Sequence, residues 1–308
     1  MRDLSRRSFL ATAALALSPR QLFAAETTPS IGVQLYSARE ALAKDFPGTL
    51  KHIGAIGYRE VEAAGFYNRT AADVKRMMTD ANLRCVSAHY GLADLLKTTG
   101  ATIEYAKTLG LDYVICSSPW AANPAHLENY SGGAWNGILH AMTLDDWKWN
   151  AEQFNKIGRK MRQAGLKFGY HNHTMKFRKV DGGIGYDVLL KETDPRYVTL
   201  ELDCGWAAAA GHDPAKLMRS HPTRFSMLHL KDLKPAPAGT EPDQRHSTII
   251  GKGVVDFLPI FAAAKAIGIK HYFIEQEEFD GPVFPALQLD YKNANILARG
   301  GSLKHQRV

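Results

Sequence analysis

The sequence predicts an α/β fold, a (β/α)8 TIM barrel forming a single domain over residues 26–308. Three observations carry this. Eight short runs rich in β-branched and aromatic residues (31–37, 58–64, 84–90, 113–118, 167–173, 198–204, 225–232 and 272–277) alternate with segments of helical period. Glycines 110, 165 and 268 stand where a helix hands over to a strand. Glycine is favoured there because it accepts the left-handed conformation that ends a helix. The first run leads into Gln34-Leu35-Tyr36-Ser37, not into the Gly-x-Gly-x-x-Gly turn of an open dinucleotide-binding sheet.

The first 25 residues read as an address. Ser5-Arg6-Arg7-Ser8-Phe9-Leu10 opens an apolar run to Leu17, and the stretch closes on Leu22-Phe23-Ala24-Ala25. The run is shorter than the ~20 residues of a membrane span. The paired arginines resemble a bacterial twin-arginine signal peptide. The mature chain is then expected in the periplasm, with no membrane contact after cleavage. Four of the 38 basic residues and one of the 31 acidic ones lie in this leader, so the remainder carries +4 instead of +7. That balance, without a run of basic residues, gives no argument for a nucleic-acid partner. Cys85, Cys116 and Cys204 are widely spaced, form no Cys-x-x-Cys, and read as small buried hydrophobes. The 45% hydrophobic and 22% charged composition excludes a disordered tail, a fibre or a small disulfide scaffold.

In the mature chain the helical period is clearest over 71–81, 99–109, 144–164 and 257–267. Two long connections, 121–143 and 234–253, follow strands and belong on the face of the barrel that carries active sites. Trp120, Trp135 and Trp147 could form a sugar-stacking wall there, or pack helix and loop. The most informative feature is the polar pattern at strand ends. His171 and His173, Glu201 and Asp203, His229 and Lys231, and Glu275 and Glu277 each share one parity on successive strands. Period two puts each pair on one face, so four strands send polar groups toward one axis. Unpaired, such buried charges would cost several kcal/mol each. A metal site or an ion-pair network would satisfy them. Mixed imidazole and carboxylate suit Mn2+, Zn2+, Co2+ or Fe2+ better than an oxygen-only cation.

At these residues the chain resembles the xylose isomerase-like barrel superfamily of sugar-phosphate isomerases and epimerases, which includes inosose dehydratases and endonuclease IV. The resemblance rests on Leu-Asp-x-Gly-Trp at 202–206, Leu-His-Leu-Lys-Asp at 228–232, Gly-Lys-Gly at 251–253 and Ile-Glu at 274–275. It implies a divalent metal held by Asp203, His229 and Glu275. At the first ligand position the epimerases place Glu, whereas this chain has His171 within Tyr-His-Asn-His, with His173 as the other candidate. That departure argues against a simple two-carboxylate epimerisation and looks more like the inosose dehydratase and 3-keto-glycoside lyase branch. Trp206 stands where epimerases often have His and could stack on a sugar ring.

The expected reaction is α-proton abstraction from a sugar or keto-sugar, with the metal stabilising an enediolate. Glu275 or His173 would be the base. Lys231 would hold developing charge, or else pair with Glu277 or Glu201. Glu62 and His89 would bind substrate hydroxyls, and Lys252 lies in the nearest thing to a phosphate-cradling loop. Isomerase or epimerase is the first reading and lyase or dehydratase the runner-up. An endonuclease IV-like phosphodiesterase and a non-catalytic periplasmic sugar-binding protein are the rivals. The sequence leaves a homo-oligomer possible and specifies none.

Overall fold

The computed structural model describes residues 29–303, so the expected leader at 1–25 lies outside the described residues. Eight parallel strands close into one barrel: β1 (Ser30–Gln34), β2 (Glu60–Ala63), β3 (Arg84–Gly91), β4 (Tyr113–Ser118), β5 (Lys167–His171), β6 (Val198–Asp203), β7 (Phe225–Leu230) and β8 (His271–Ile274). Neighbours in sequence are neighbours in the barrel, and β8 closes on β1 with Ile31 opposite Tyr272. All eight expected strands are present, and several stop earlier than expected. β1 ends at Gln34, whose side chain accepts from the Tyr36 N–H and turns the chain into a 3-10 segment, Leu35–Ala38. β5 ends at His171 and β8 at Ile274, so His173, Glu275 and Glu277 sit just beyond the barrel rim.

The helices at Ala71–Asp80, Leu92–Leu109, Leu144–Gln163 and Phe257–Ile267 pack their apolar stripes on the outside of the barrel. The 144–163 helix opens on a capping box, in which Thr143 and Asp146 satisfy each other's backbone N–H. Gly110 and Gly268 end their helices in the left-handed region, at φ 90° and 79°. Inside the barrel a separate small cluster, Val86, Tyr113, Ile115, Met227 and Phe273, forms the floor under the polar face. Phe273 needs Gly32 opposite it, because a Cβ there would lie 2.8 Å from the ring. Among the described residues no helix is long and apolar enough to cross a membrane.

The connection expected as a loop at 121–143 contains two short helices, Ala125–Glu128 and Ala134–His140. The 234–253 connection carries a 3-10 turn, Pro242–Gln244, and a two-residue ribbon pairing Asp232–Leu233 with Ser247–Thr248. Both reach a cavity of about 630 Å3 at the carboxyl ends of the strands.

Candidate active site

Strand register and period two bring the polar faces together at that end. Glu62, Glu201, Asp203 and His229 are fully buried, His171 is 1% exposed and Glu275 7%. Two sets of four have donor atoms all within 4.8 Å of one another. One is His171, Asp203, His229 and Glu275; the other is His89, His171, Glu201 and His229. His229 belongs to both: Nδ1 lies 3.1 Å from Glu275 Oε2, and Nε2 lies 2.6 Å from Glu62 Oε1.

Local structure sets each side chain. Asp203 ends β6 and caps the helix Cys204–Ala209: Oδ1 accepts from the Trp206 N–H at 2.8 Å, leaving Oδ2 toward the site. Its backbone is clamped by the Asn172 amide, which accepts from the Asp203 N–H and donates to the Asp203 carbonyl. The buried Lys176 amine donates to the His171 carbonyl at 2.7 Å, where β5 ends.

The ionisation pattern follows from burial and charge. Burial pushes the Glu275 carboxyl up, but Lys231 and His229 hold it well below the ordinary range. Burial likewise acts on Glu62, and His89 and His229 overcome it in the same sense. Burial and the adjacent Glu62 charge raise Glu201 to about 7. Burial raises Asp203 despite Lys231 and His229. His89 is depressed by burial but lifted to about 9 by Glu62 and Glu201. His171 and His173 are held well below the ordinary imidazole value, by burial first and by neighbouring positive groups second.

Glu62 Oε2, Glu201 Oε1 and Asp203 Oδ2 are buried without a hydrogen-bond partner. Of these, Asp203 Oδ2 stands with His171, His229 and Glu275, its nearest cation the Lys231 amine at 3.4 Å, and a divalent cation suits such a mixed carboxylate and imidazole set. The residues present therefore fit the metal their chemistry calls for.

Of the residues expected from sequence, His89, His171, His173, Trp206 and Glu275 line the cavity. His173 stands outside both sets of four, with its ring T-shaped to His171 at 4.8 Å and Nδ1 unpartnered. Two placements, those of Glu62 and Lys252, differ from the expectation, and that of Lys231 matches one of its two readings. Glu62 does not reach the cavity as a hydroxyl binder; it is fully buried and accepts from Gln34 while facing His89 and His229. Lys231 follows the ion-pair alternative with Glu277, since Asp203, Glu275 and Glu277 surround its buried amine, which lies over the Trp206 ring at 4.3 Å. Lys252 is exposed and outside the lining, and its loop cannot cradle a phosphate, since the Gly251 and Gly253 N–H groups already donate to Asp232 Oδ2. Of the three tryptophans, Trp135 lines the cavity, whereas Trp147 is fully buried packing. Glu201 entered the sequence reading only as an ion-pair partner of Lys231, and the Lys231 amine instead meets Asp203, Glu275 and Glu277. The signal for Glu201 was there, two residues before Asp203 on the same face, but no spacing rule says that it meets His171 and His89.

Residues 50–292 match the family described as Xylose isomerase-like TIM barrel. The inosose dehydratase of Geobacillus kaustophilus is 24% identical over 270 residues, 80% of this chain and 83% of that protein. The inosose dehydratase of Geobacillus thermodenitrificans is 29% identical over 148 residues, and there the match spans about half of either chain, 45% and 49%. Among solved structures, a sugar phosphate isomerase/epimerase of Parabacteroides distasonis superposes with a TM-score of 0.67 at 26% identity, covering 89% of this chain and 96% of that one. The IOLI protein, solved with a zinc atom, has the same fold at 13% identity and a TM-score of 0.66, covering 89% and 100%.

Proposed function

The chain belongs to the xylose isomerase-like TIM-barrel family, and from that premise we propose that it is a divalent-metal-dependent enzyme that removes the proton α to the carbonyl of a sugar or keto-sugar. One observation carries the reading: His171, Asp203, His229 and Glu275, from four successive strands, converge within 4.8 Å at the buried end of a cavity. These four would hold the ion. When bound, it would supply Lewis-acid polarisation of adjacent substrate oxygens. His173 would serve as the base: a neutral imidazole that lines the cavity and belongs to neither set of four. Lys231 offsets the negative charge of Asp203, Glu275 and Glu277, so three carboxylates can stand together without substrate. Trp206 and Trp135 supply apolar walls for a sugar ring.

Return of the proton to the neighbouring carbon or the opposite face gives an isomerase or epimerase. The lyase or dehydratase reading has its own support. Relatives aligned over most of the chain are inosose dehydratases. His171, at the position where the epimerases keep a second proton-moving Glu, is tied to Glu201 at 3.0 Å. Incubating the metal-loaded protein with ketoses, inososes and 3-keto-glycosides in deuterium oxide tests the shared first step by NMR. Deuterium at the carbon beside the carbonyl is expected, and an unsaturated product would select the lyase. Binding without exchange or turnover across the panel would leave a sugar-binding protein instead.

A further inference from the structure

Beside the His171, Asp203, His229 and Glu275 set lies a second group of charged residues, of which His89 reaches the cavity wall. Glu62 and Glu201 are fully buried, and His89 bridges them, its Nε2 lying 2.8 Å from Glu62 Oε1 and 2.9 Å from Glu201 Oε2. Gln34 donates to Glu62 Oε1 at 2.8 Å and fixes that carboxylate in place. Each carboxylate also reaches one candidate ligand ring. Glu201 Oε2 lies 3.0 Å from His171 Nδ1, and Glu62 Oε1 lies 2.6 Å from His229 Nε2. The two rings are therefore gripped at opposite nitrogens. His229 turns Nδ1 toward the first set, 3.1 Å from Glu275 Oε2 and 3.9 Å from Asp203 Oδ2. His171 has Nδ1 engaged by Glu201 and lines the cavity, and among the described residues no hydrogen bond engages its Nε2.

Resting on the metal-dependent reading above, we infer that Glu62, His89 and Glu201 are positioning residues, not ligands, and that they set opposite tautomers in the two ring ligands. A ring N–H pointing at a carboxylate leaves the lone pair on the other nitrogen. His229 then offers Nδ1 and His171 offers Nε2 to one ion shared with Asp203 and Glu275. The competing set of His89, His171, Glu201 and His229 would have to break both ring–carboxylate bonds. That would leave the buried Glu62 carboxylate without its shortest partner. An imidazole at position 171 needs a partner that fixes which ring nitrogen carries the proton. Glu201 is that partner.

Nitrogen-15 NMR of the histidine rings in the Zn2+-loaded protein reads the protonated nitrogen of each ring without any variant. The expected result is a proton on Nε2 of His229 and on Nδ1 of His171. Chelator competition adds a second readout. Glu62→Gln and Glu201→Gln, checked for native circular dichroism, should still take one Zn2+ per chain, bound about 10- to 100-fold more weakly. The same tautomer in both rings, or metal on Nε2 of His229, overturns the inference. So does loss of the ion from Glu201→Gln with retention in Glu275→Gln, which would move the ion to the competing set. A wild-type chain that takes up no divalent ion would overturn the metal-dependent reading itself, and this inference with it.

Discussion

His173 differs from the other imidazoles of the site in what surrounds it. His89, His171 and His229 each face a carboxylate within 3.1 Å, whereas His173 faces rings, Trp135 at 5.6 Å and His171 at 4.8 Å. Burial, then the positive Lys176 and Lys231, keep its pKa well below the ordinary value. It is therefore neutral at neutral pH, with a ring lone pair free to accept a proton, while the lowered pKa reduces its strength as a base. His173→Gln is expected to lower kcat by about 10²- to 10⁴-fold with metal content unchanged. Glu275→Gln should lose metal as well as turnover. Full exchange in His173→Gln would return the role to Glu275. This division of labour was only half legible in the sequence. Period two identified which residues point inward, but parity carries no information on depth. Glu62 thus read as a substrate contact although it lies against His229, and Lys231 was left between a catalytic role and the ion pair with Glu277 that it makes.

The 232–255 connection behaves as one element organised around Asp232. Its carboxylate accepts from the N–H groups of Leu233, Gly251, Gly253 and Val255, at 2.8 to 3.0 Å. Gly253 has no room for a side chain, since a Cβ would lie 2.3 Å from Asp232 Oδ1. A second buried carboxylate, Asp290, receives the Ile250 N–H at 2.7 Å. Upstream, the Ser247 hydroxyl donates to Glu278 and accepts from the N–H of Glu277 and Glu278, which ties the connection to the residues after β8. Asp232→Ala strands several backbone donors at once. It is expected to destabilise the fold by about 3 kcal/mol or more, at roughly 1–3 kcal/mol per unsatisfied group. Denaturant unfolding would measure this, and hydrogen exchange should show the loss concentrated at 250–255. A loss below 0.5 kcal/mol, the ordinary range of a surface change, would mean that water replaces the carboxylate. The Gly-Lys-Gly of this connection was visible in the sequence as a motif and its place near the site was expected. Its purpose was not visible, because the acceptor lies about twenty residues away in the chain, on the far side of the ribbon.

Across the whole barrel, the buried charges predict a pH dependence of the metal-free protein that a bound cation would offset. His89 has its pKa raised from 6.5 to about 9, so its contribution to stability is complete below pH 6.5 and is lost as pH rises through 9. Glu201 and Asp290 are raised from 4.5 and 3.8 to about 7, and their contributions fade as pH rises toward neutrality. Glu62 and Glu275 act in the other direction: held below the ordinary range, they stabilise above about pH 4.5 and lose that contribution as pH falls. His171 and His173, held low by burial, oppose the His89 contribution below pH 6.5, so the decline of the metal-free protein should be concentrated above pH 6.5. The protein should weaken toward pH 9, each titrating group contributing about 1.4 kcal/mol per pH unit at most. A bound cation would offset that decline, because it competes with protons for imidazole and carboxylate, and its affinity rises as they leave. At a hundredfold excess over Kd it adds about 2.7 kcal/mol. Calorimetric scans at pH 5.5, 7 and 8.5, with and without Zn2+, should then show a gap in Tm that widens with pH. The metal-free curve should fall while the loaded curve holds. A metal-free protein that gains stability toward pH 9 would mean that the His89 bridge is not charged as its two carboxylates require. A gap that stays constant across the series would mean that the ion binds away from these ligands.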